Sequence, residues 1–255
     1  MVEGIEQFTR HFESFPGAFV VIGGTACAAV LEDAGLPFRT TKDIDIVLIA
    51  EALDESFMRA FWDFIEEGQY LIRESAEGKK ILYRFEKPQK QGFPPCLELF
   101  SRILIEDNQS HGHKMQFKAS GTPQYLSAIL MDDEYYHFAR EAIQNIDGIS
   151  VADAIHLIPL KAKAWLDMNA RRIAGDAVDS RDIEKHRKDI LRLFAVIEPG
   201  TQIKIPEKIQ ADLAAFLVEG FKDWEPNMKS LGLGNIGLPE VVRGLRNVYF
   251  AAGGT

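Results

Sequence analysis

The alternation Asp43-Ile44-Asp45-Ile46-Val47-Leu48 constrains this chain more than any other stretch. Residues repeating with period two belong on a strand, and this strand sends two carboxylates to one face and two isoleucines to the other. On such a strand Asp43 and Asp45 stand about 7 Å apart. The segment before it matches. Ala18 to Ile22 is a short apolar, β-branched run that reads as a buried strand, Gly23-Gly24-Thr25 follows at once, and Ala26, Ala29 and Val30 continue at helical spacing to a stop near Gly35 and Pro37.

The rest of the chain divides by pattern. Residues 2–14 carry Ile5, Phe8 and Phe12 at helical spacing up to the Pro16-Gly17 break, and residues 54–67 repeat that period through Phe57, Phe61, Phe64 and Ile65. Alternating runs follow, from Tyr70 to Glu74, Ile81 to Glu86, Leu97 to Ser101 and Met115 to Lys118, as in an antiparallel meander. Tyr125 to Leu130 fits either strand or helix, and a short helix is expected over 132–143. The turn at Gly148 is the expected domain boundary. Beyond it helices are predicted over 151–172, 180–196, 206–220 and 239–250, with no further strand. Pro159 fits the first turn of a new helix better than an interior. The expected fold is therefore α+β, with an N-terminal mixed-sheet core over residues 1–148 and a C-terminal helical domain over 149–255.

Length and charge narrow the function classes. A chain of 255 residues has room for two domains, and 46% hydrophobic content with 26% charged residues is ordinary for a globular protein. The formal net charge of −9 argues against broad binding to a phosphate backbone. Charge is unevenly spread, since Lys42 to Glu67 holds eight acids and two bases whereas residues 151–195 hold nine bases and seven acids. Glu3, Glu6, Arg10 and Glu13 interrupt the first twenty residues, a pattern of neither a secretory signal nor a membrane span, so a cytoplasmic protein with no membrane partner is expected. Cys27 and Cys96 are widely separated and lack metal-ligand spacing, which predicts two packed thiols rather than a disulfide or a zinc site.

Paired aspartates at a strand end suit Mg²⁺, a hard cation held by one or two carboxylates plus waters and substrate phosphates. Glu98, a charge inside the apolar run Pro95 to Phe100, is the candidate third carboxylate, so Asp43, Asp45 and Glu98 form the predicted catalytic and metal set. Gly23 and Gly24 permit close approach of a ligand to the backbone, the N–H groups of the following helix favour phosphate, and Thr25 adds a hydroxyl. Lys42 stands next to the first aspartate. Other phosphate signatures are missing: the chain has no GxxxxGK[ST], and its one GxGxxG, Gly232 to Gly237, follows no predicted strand and reads as a loop. His111-Gly112-His113 is read as a polar turn, and the tail through Gly253-Gly254 as frayed. Trp62, Trp165 and Trp224 are read as packing aromatics.

On the expected 159–172 helix Lys163, Asp167 and Arg171 share a stripe, with Lys161 on a different face. Lys185 to Asp189 forms a second charged patch behind a core stripe of Ile183, Ile190, Leu193 and Phe194.

Val20 to Ala26 together with Thr41 to Ile46 resembles the hGGT…DhDh signature of the AbiEii-type nucleotidyltransferase toxins, within the DNA polymerase beta-like superfamily. Leu160 to Asp167 is similar to the family's lysine-bearing helix, and Lys185 to Ile190 to its downstream basic and acidic motif. Gly24-Thr25 stands where the wider superfamily more often has Gly-Ser. The resemblance implies transfer of a nucleoside monophosphate from an NTP to an acceptor, with tRNA 3′ ends or other RNA as an acceptor class and an antitoxin as a partner of such toxins. By the same resemblance Gly23, Gly24 and Thr25 would meet phosphate, and Asp43 and Asp45 would hold Mg²⁺, two ions with NTP bound; Lys42 is a further phosphate-binding candidate. Lys161 or Lys163, with Asp167, Lys185 and Asp189, would contact nucleotide. Two other readings fit the residues: a catalytically silent module that binds nucleotide or antitoxin, and a transferase acting on a small molecule such as an antibiotic.

Overall fold

The computed structural model describes residues 2–74, 80–102, 114–118 and 125–250. They fall into two compact units, one running to Ala152 without Ala34–Leu36, the other comprising Ala34–Leu36 and the chain from Asp153 on. The predicted turn His111-Gly112-His113 and the tail at Gly253-Gly254 lie outside the described residues.

In the first unit helix α1 (Ile5–Phe12) precedes strand β1 (Phe19–Ile22), which runs without a separate turn into helix α2 (Gly23–Asp33). The acidic alternation forms β2 (Asp43–Leu48), a 3-10 turn follows at Ala50–Ala52, and α3 (Glu55–Gly68) is opened by Asp54, whose carboxylate accepts from the Phe57 N–H at 2.8 Å. Then come β3 (Leu71–Glu74), β4 (Lys80–Glu86), β5 (Cys96–Ser101), β6 (Lys114–Lys118), β7 (Tyr125–Leu130), α4 (Asp133–Glu141), β8 (Ile143–Ile146) and β9 (Ile149–Ala152). The ambiguous 125–130 run is thus a strand.

The nine described strands form one sheet in the order β3-β4-β5-β2-β1-β9-β8, with β7 pairing β5 and β6 pairing β7. The sheet is mixed: β3, β4 and β5 are antiparallel as the meander predicts, but β5 runs parallel to both β2 and β7. One face is sealed by aromatic side chains. Phe8 and Phe12 of α1 and Phe57, Phe61 and Phe64 of α3 pack edge-on or tilted with Phe19 of β1 and Phe85 of β4, at centroid separations such as 5.7 Å for Phe8–Phe64 and 5.6 Å for Phe61–Phe85. Ile44 and Ile46 sit on that face, fully buried, and alternation turns Asp43 and Asp45 the other way.

Two sequence expectations change here. Gly148 is the tip of a hairpin, with Ile146 paired to Ile149 and Val151 beside Val21 of β1, so the first unit extends through β9 to Ala152. Strands of only four residues leave too short an alternation for the sequence to register.

The second correction concerns the second unit, where a single helix α5 (Ala154–Ile173) carries Pro159 in its interior instead of restarting there. A proline has no N–H for the carbonyl four residues back, which leaves the Ile155 carbonyl without its helical donor. The Tyr249 hydroxyl, 2.7 Å away, donates to that oxygen. Helices α6 (Ser180–Phe194), α7 (Glu207–Glu219) and α8 (Leu238–Tyr249) complete the unit, α5 packing on α6 and α7 and α6 on α8. Its core includes Ile183 and Ile190 of the stripe predicted for α6, together with Leu157, Ala162 and Trp165 of α5, Phe216 of α7 and Leu245 of α8. Both cysteines are buried. No described helix is long and apolar enough to cross a membrane.

Candidate functional site

Strand register assembles the acidic row. Asp45 lies opposite Ile22 of β1 on one side and Glu98 of β5 on the other, and Glu98 lies opposite Arg84 of β4. Residues directly opposite in a sheet share a face, so Asp45, Glu98 and Arg84 form one row across three strands, with Asp43 two residues from Asp45 on the same face. Asp43 is exposed, while Asp45 and Glu98 are half-buried.

The glycine step and the second aspartate are fitted to each other. Gly23 has φ +68°, a left-handed conformation, and a Cβ built on it would lie 1.8 Å from Asp45 Oδ2 and 3.1 Å from Asp45 Cβ. The carboxylate therefore occupies the space that any other residue at position 23 would fill. Gly24 has no such strain: a Cβ there would lie 3.3 Å from Thr41 and 3.4 Å from Arg39 Nη2.

Thr25 is buried, and its hydroxyl donates to the Asp43 carbonyl at 2.7 Å, which makes Thr41 the donor in the 3.1 Å Thr25–Thr41 hydroxyl contact. The predicted phosphate hydroxyl is thus engaged in tying the start of β2 to the first turn of α2. Lys42, exposed, precedes the row.

Glu98 is held by Arg84, whose Nη1 is 3.1 Å away and whose Nε also reaches Glu86 at 2.7 Å. Burial pushes the Glu98 carboxyl above the ordinary carboxylate range; Arg84 opposes that shift, and the negative charges of Asp43 and Glu86 add to it. Burial likewise pushes the neighbouring Cys96 thiol up to about 12, again against Arg84 and with Asp43.

The donor set suits a hard divalent cation. Asp43 and Asp45 offer only oxygen, and a Mg²⁺ ion takes one or two carboxylates and completes its shell with water and phosphate. Among the described residues no group of three or more His, Cys, Asp and Glu side chains is gathered closely enough to cage a metal. The residues that would hold such an ion are thus Asp43 and Asp45, while Glu98 is turned to Arg84.

The predicted lysines of the second unit pair with acids of the same unit. Lys161 Nζ is 3.1 Å from Asp189 Oδ2, joining α5 to α6 in the interior, with the lysine 4% and the aspartate 0% exposed. Lys163 meets Asp167 at 2.8 Å and Asp212 of α7 at 3.9 Å, and Lys185 meets Asp182 at 3.1 Å. Lys161 and Lys163 are thus separated by burial, as their different helix faces imply.

No family model matches the chain, and no curated protein matches it. Among solved structures it is similar to an antigenic nucleotidyltransferase-like protein from Paracoccidioides brasiliensis, with a TM-score of 0.47 and 15% identity over 90% of this chain and 89% of that one. It is also similar to the antibiotic-resistance factor ANT(2'')-Ia, with a TM-score of 0.40 and 13% identity over 85% of this chain and 91% of that one. Likeness at this level carries no argument about activity, which rests on the side chains.

Two site residues escaped the sequence reading. Arg84 shares its alternation phase with Glu86, but only the β4–β5 register brings it to Glu98. Arg39 lies in a segment without regular structure and carries no periodic signal at all.

Proposed function

We propose that this chain is a Mg²⁺-dependent nucleotidyltransferase, moving a nucleoside monophosphate from an NTP to an acceptor hydroxyl. One observation carries the reading: Asp43 and Asp45 share an accessible face of β2, and the Asp45 carboxylate is seated against Gly23 where a strand passes into a helix. The acceptor class that the sequence resemblance to AbiEii-type toxins favours is an RNA end such as a tRNA 3′ end.

In this reading Asp43 and Asp45 hold Mg²⁺. When bound, the ion neutralises triphosphate charge and polarises the phosphoryl oxygens. The backbone N–H groups opening α2 face the phosphates, as free donors at a helix start do. Thr25 keeps the first aspartate in place through its bond to the Asp43 carbonyl. Glu98, positioned by Arg84, takes the proton of the acceptor hydroxyl as its oxygen attacks the α-phosphorus and pyrophosphate leaves; its raised pKa brings it nearer the working range of a general base. The lysines and acids of α5 and α6 enter only through the sequence resemblance.

The test is to incubate the protein with each labelled NTP, Mg²⁺ and total cellular RNA, then follow label and pyrophosphate, with Asp45→Asn in parallel. Label in an RNase-sensitive product, lost in the folded variant, is the expected result. Undiminished transfer by Asp45→Asn refutes the assignment, and an RNase-resistant labelled product shows that RNA is not the acceptor. A second reading, a catalytically silent nucleotide-binding module, is favoured by the ion pair that engages Glu98. Mg²⁺-dependent NTP binding without pyrophosphate release would select it.

A further inference from the structure

A groove of about 780 Å³ runs along the first unit between α1, α2 and the β8–β9 hairpin, and its walls include none of Asp43, Asp45 and Glu98. Its floor is apolar. Val2 and Ile5 at one side, Ala28 and Ala29 of α2 at another, and Ile149 and Val151 of β9 between them line it, all buried except the half-buried Ile5 and Ala29. The alanines leave room where larger residues would close the gap.

The rim has one sign. Glu6 of α1, Glu13 just after it, Glu32 and Asp33 of α2 and Asp147 of the hairpin are all exposed along the groove, against the single base Arg10. Glu32 and Asp33 are the last two residues of α2, where unsatisfied carbonyls already make the helix end negative, and no basic residue stands in that turn. Carboxylates at that end are the wrong sign for the helix dipole. An apolar floor between negative banks is complementary to a ligand with an apolar stripe and positive flanks.

We infer that this groove docks a basic amphipathic helix of a partner protein, its leucine-like side chains on the alanine and isoleucine floor and its lysines or arginines against Glu6, Glu13, Glu32, Asp33 and Asp147. The size agrees. The part of α2 that lines it, Thr25 to Asp33, spans about 13 Å, which a guest helix of two to three turns matches in length. The inference stands whether or not the acidic row transfers nucleotides.

The probe is a labelled three-turn amphipathic peptide of leucine and lysine, followed by fluorescence anisotropy with the full chain at low and moderate salt. Two control peptides accompany it, one with glutamate for lysine and one with serine for leucine. The leucine–lysine peptide binds, the controls bind on the order of tenfold more weakly, and amide NMR shifts fall on α1, α2 and residues 146–151. Glu32→Lys/Asp33→Lys, at exposed positions, and Ala29→Trp, which fills the floor, each weaken binding on the order of tenfold. Melting curves verify that the variants fold, and the charge reversal alone decides the case if Ala29→Trp does not. Absence of binding, equal binding of the serine control, or equal affinity in the charge-reversed protein overturns the inference.

Discussion

Gly23→Ala probes both the backbone and the proposed chemistry, and the two effects can be read separately. At φ +68° an alanine adopts a left-handed conformation, costing about 1–2 kcal/mol. Its methyl would also lie 1.8 Å from Asp45 Oδ2. To reach an ordinary separation the carboxylate must retreat by roughly 1.5 Å. Rotation about the Asp45 side chain relieves most of that overlap, so the stability loss stays near the backbone value and the unit's melting temperature falls by roughly 2–8 °C. The carboxylate, however, leaves its place beside the glycine step. A misplacement on the order of 1 Å costs about a hundredfold in a reaction that depends on positioning. Gly23→Ala should therefore fold, melt slightly lower, and lose about two orders of magnitude in labelled nucleotide transfer, approaching Asp45→Asn. Gly24→Ala is the control for stability, because its φ is ordinary and its nearest contacts are 3.3–3.4 Å. Calorimetry and the transfer assay together decide. Wild-type transfer by a folded Gly23→Ala protein would refute the view that Asp45 must sit against that turn.

Tyr249→Phe removes the only donor described for the carbonyl that Pro159 leaves behind, so urea denaturation should report a loss of about 1 kcal/mol from one half-buried acceptor without its partner. A variant as stable as wild type would mean that this carbonyl is satisfied otherwise. Glu98 supplies a pH prediction. Its folded pKa lies above the ordinary value, so its contribution to stability is fully present below the unfolded pKa and is lost as pH rises through the folded one. Arg84→Met removes the cation that opposes the shift, and should move the Glu98 carboxyl titration, followed by carbon NMR, to higher pH and extend that loss toward neutrality. A downward or absent displacement would show that Arg84 does not set the charge state of Glu98.

Legibility in the chain followed the length of each pattern. The long amphipathic helices, α3 with its phenylalanines and α6 with Ile183, Ile190 and Leu193, are plain because every turn repeats the same apolar choice. The hairpin of β8 and β9 was not, because two strands of four residues offer too little alternation to outweigh a neighbouring helix signal. Pro159 misled for a different reason. Local rules place proline at a helix start, and only a tyrosine ninety residues away makes the interior position tolerable.

At the candidate site the division is sharper. Alternation alone put Asp43 and Asp45 on one face and the isoleucines on the other, since that follows from backbone geometry within a single strand. Which strands lie beside β2, and in what register, depends on contacts between separate segments, β1 and β5, that no pattern within β2 specifies. That register brought Glu98 opposite Asp45 and set Arg84 opposite Glu98, and the path of β1 into α2 pressed Gly23 against the Asp45 carboxylate. Local periodicity therefore chose the residues and the face they share. Tertiary packing decided their neighbours, their burial and hence their charge, because desolvation and ion pairing are properties of the assembled sheet and of no single strand.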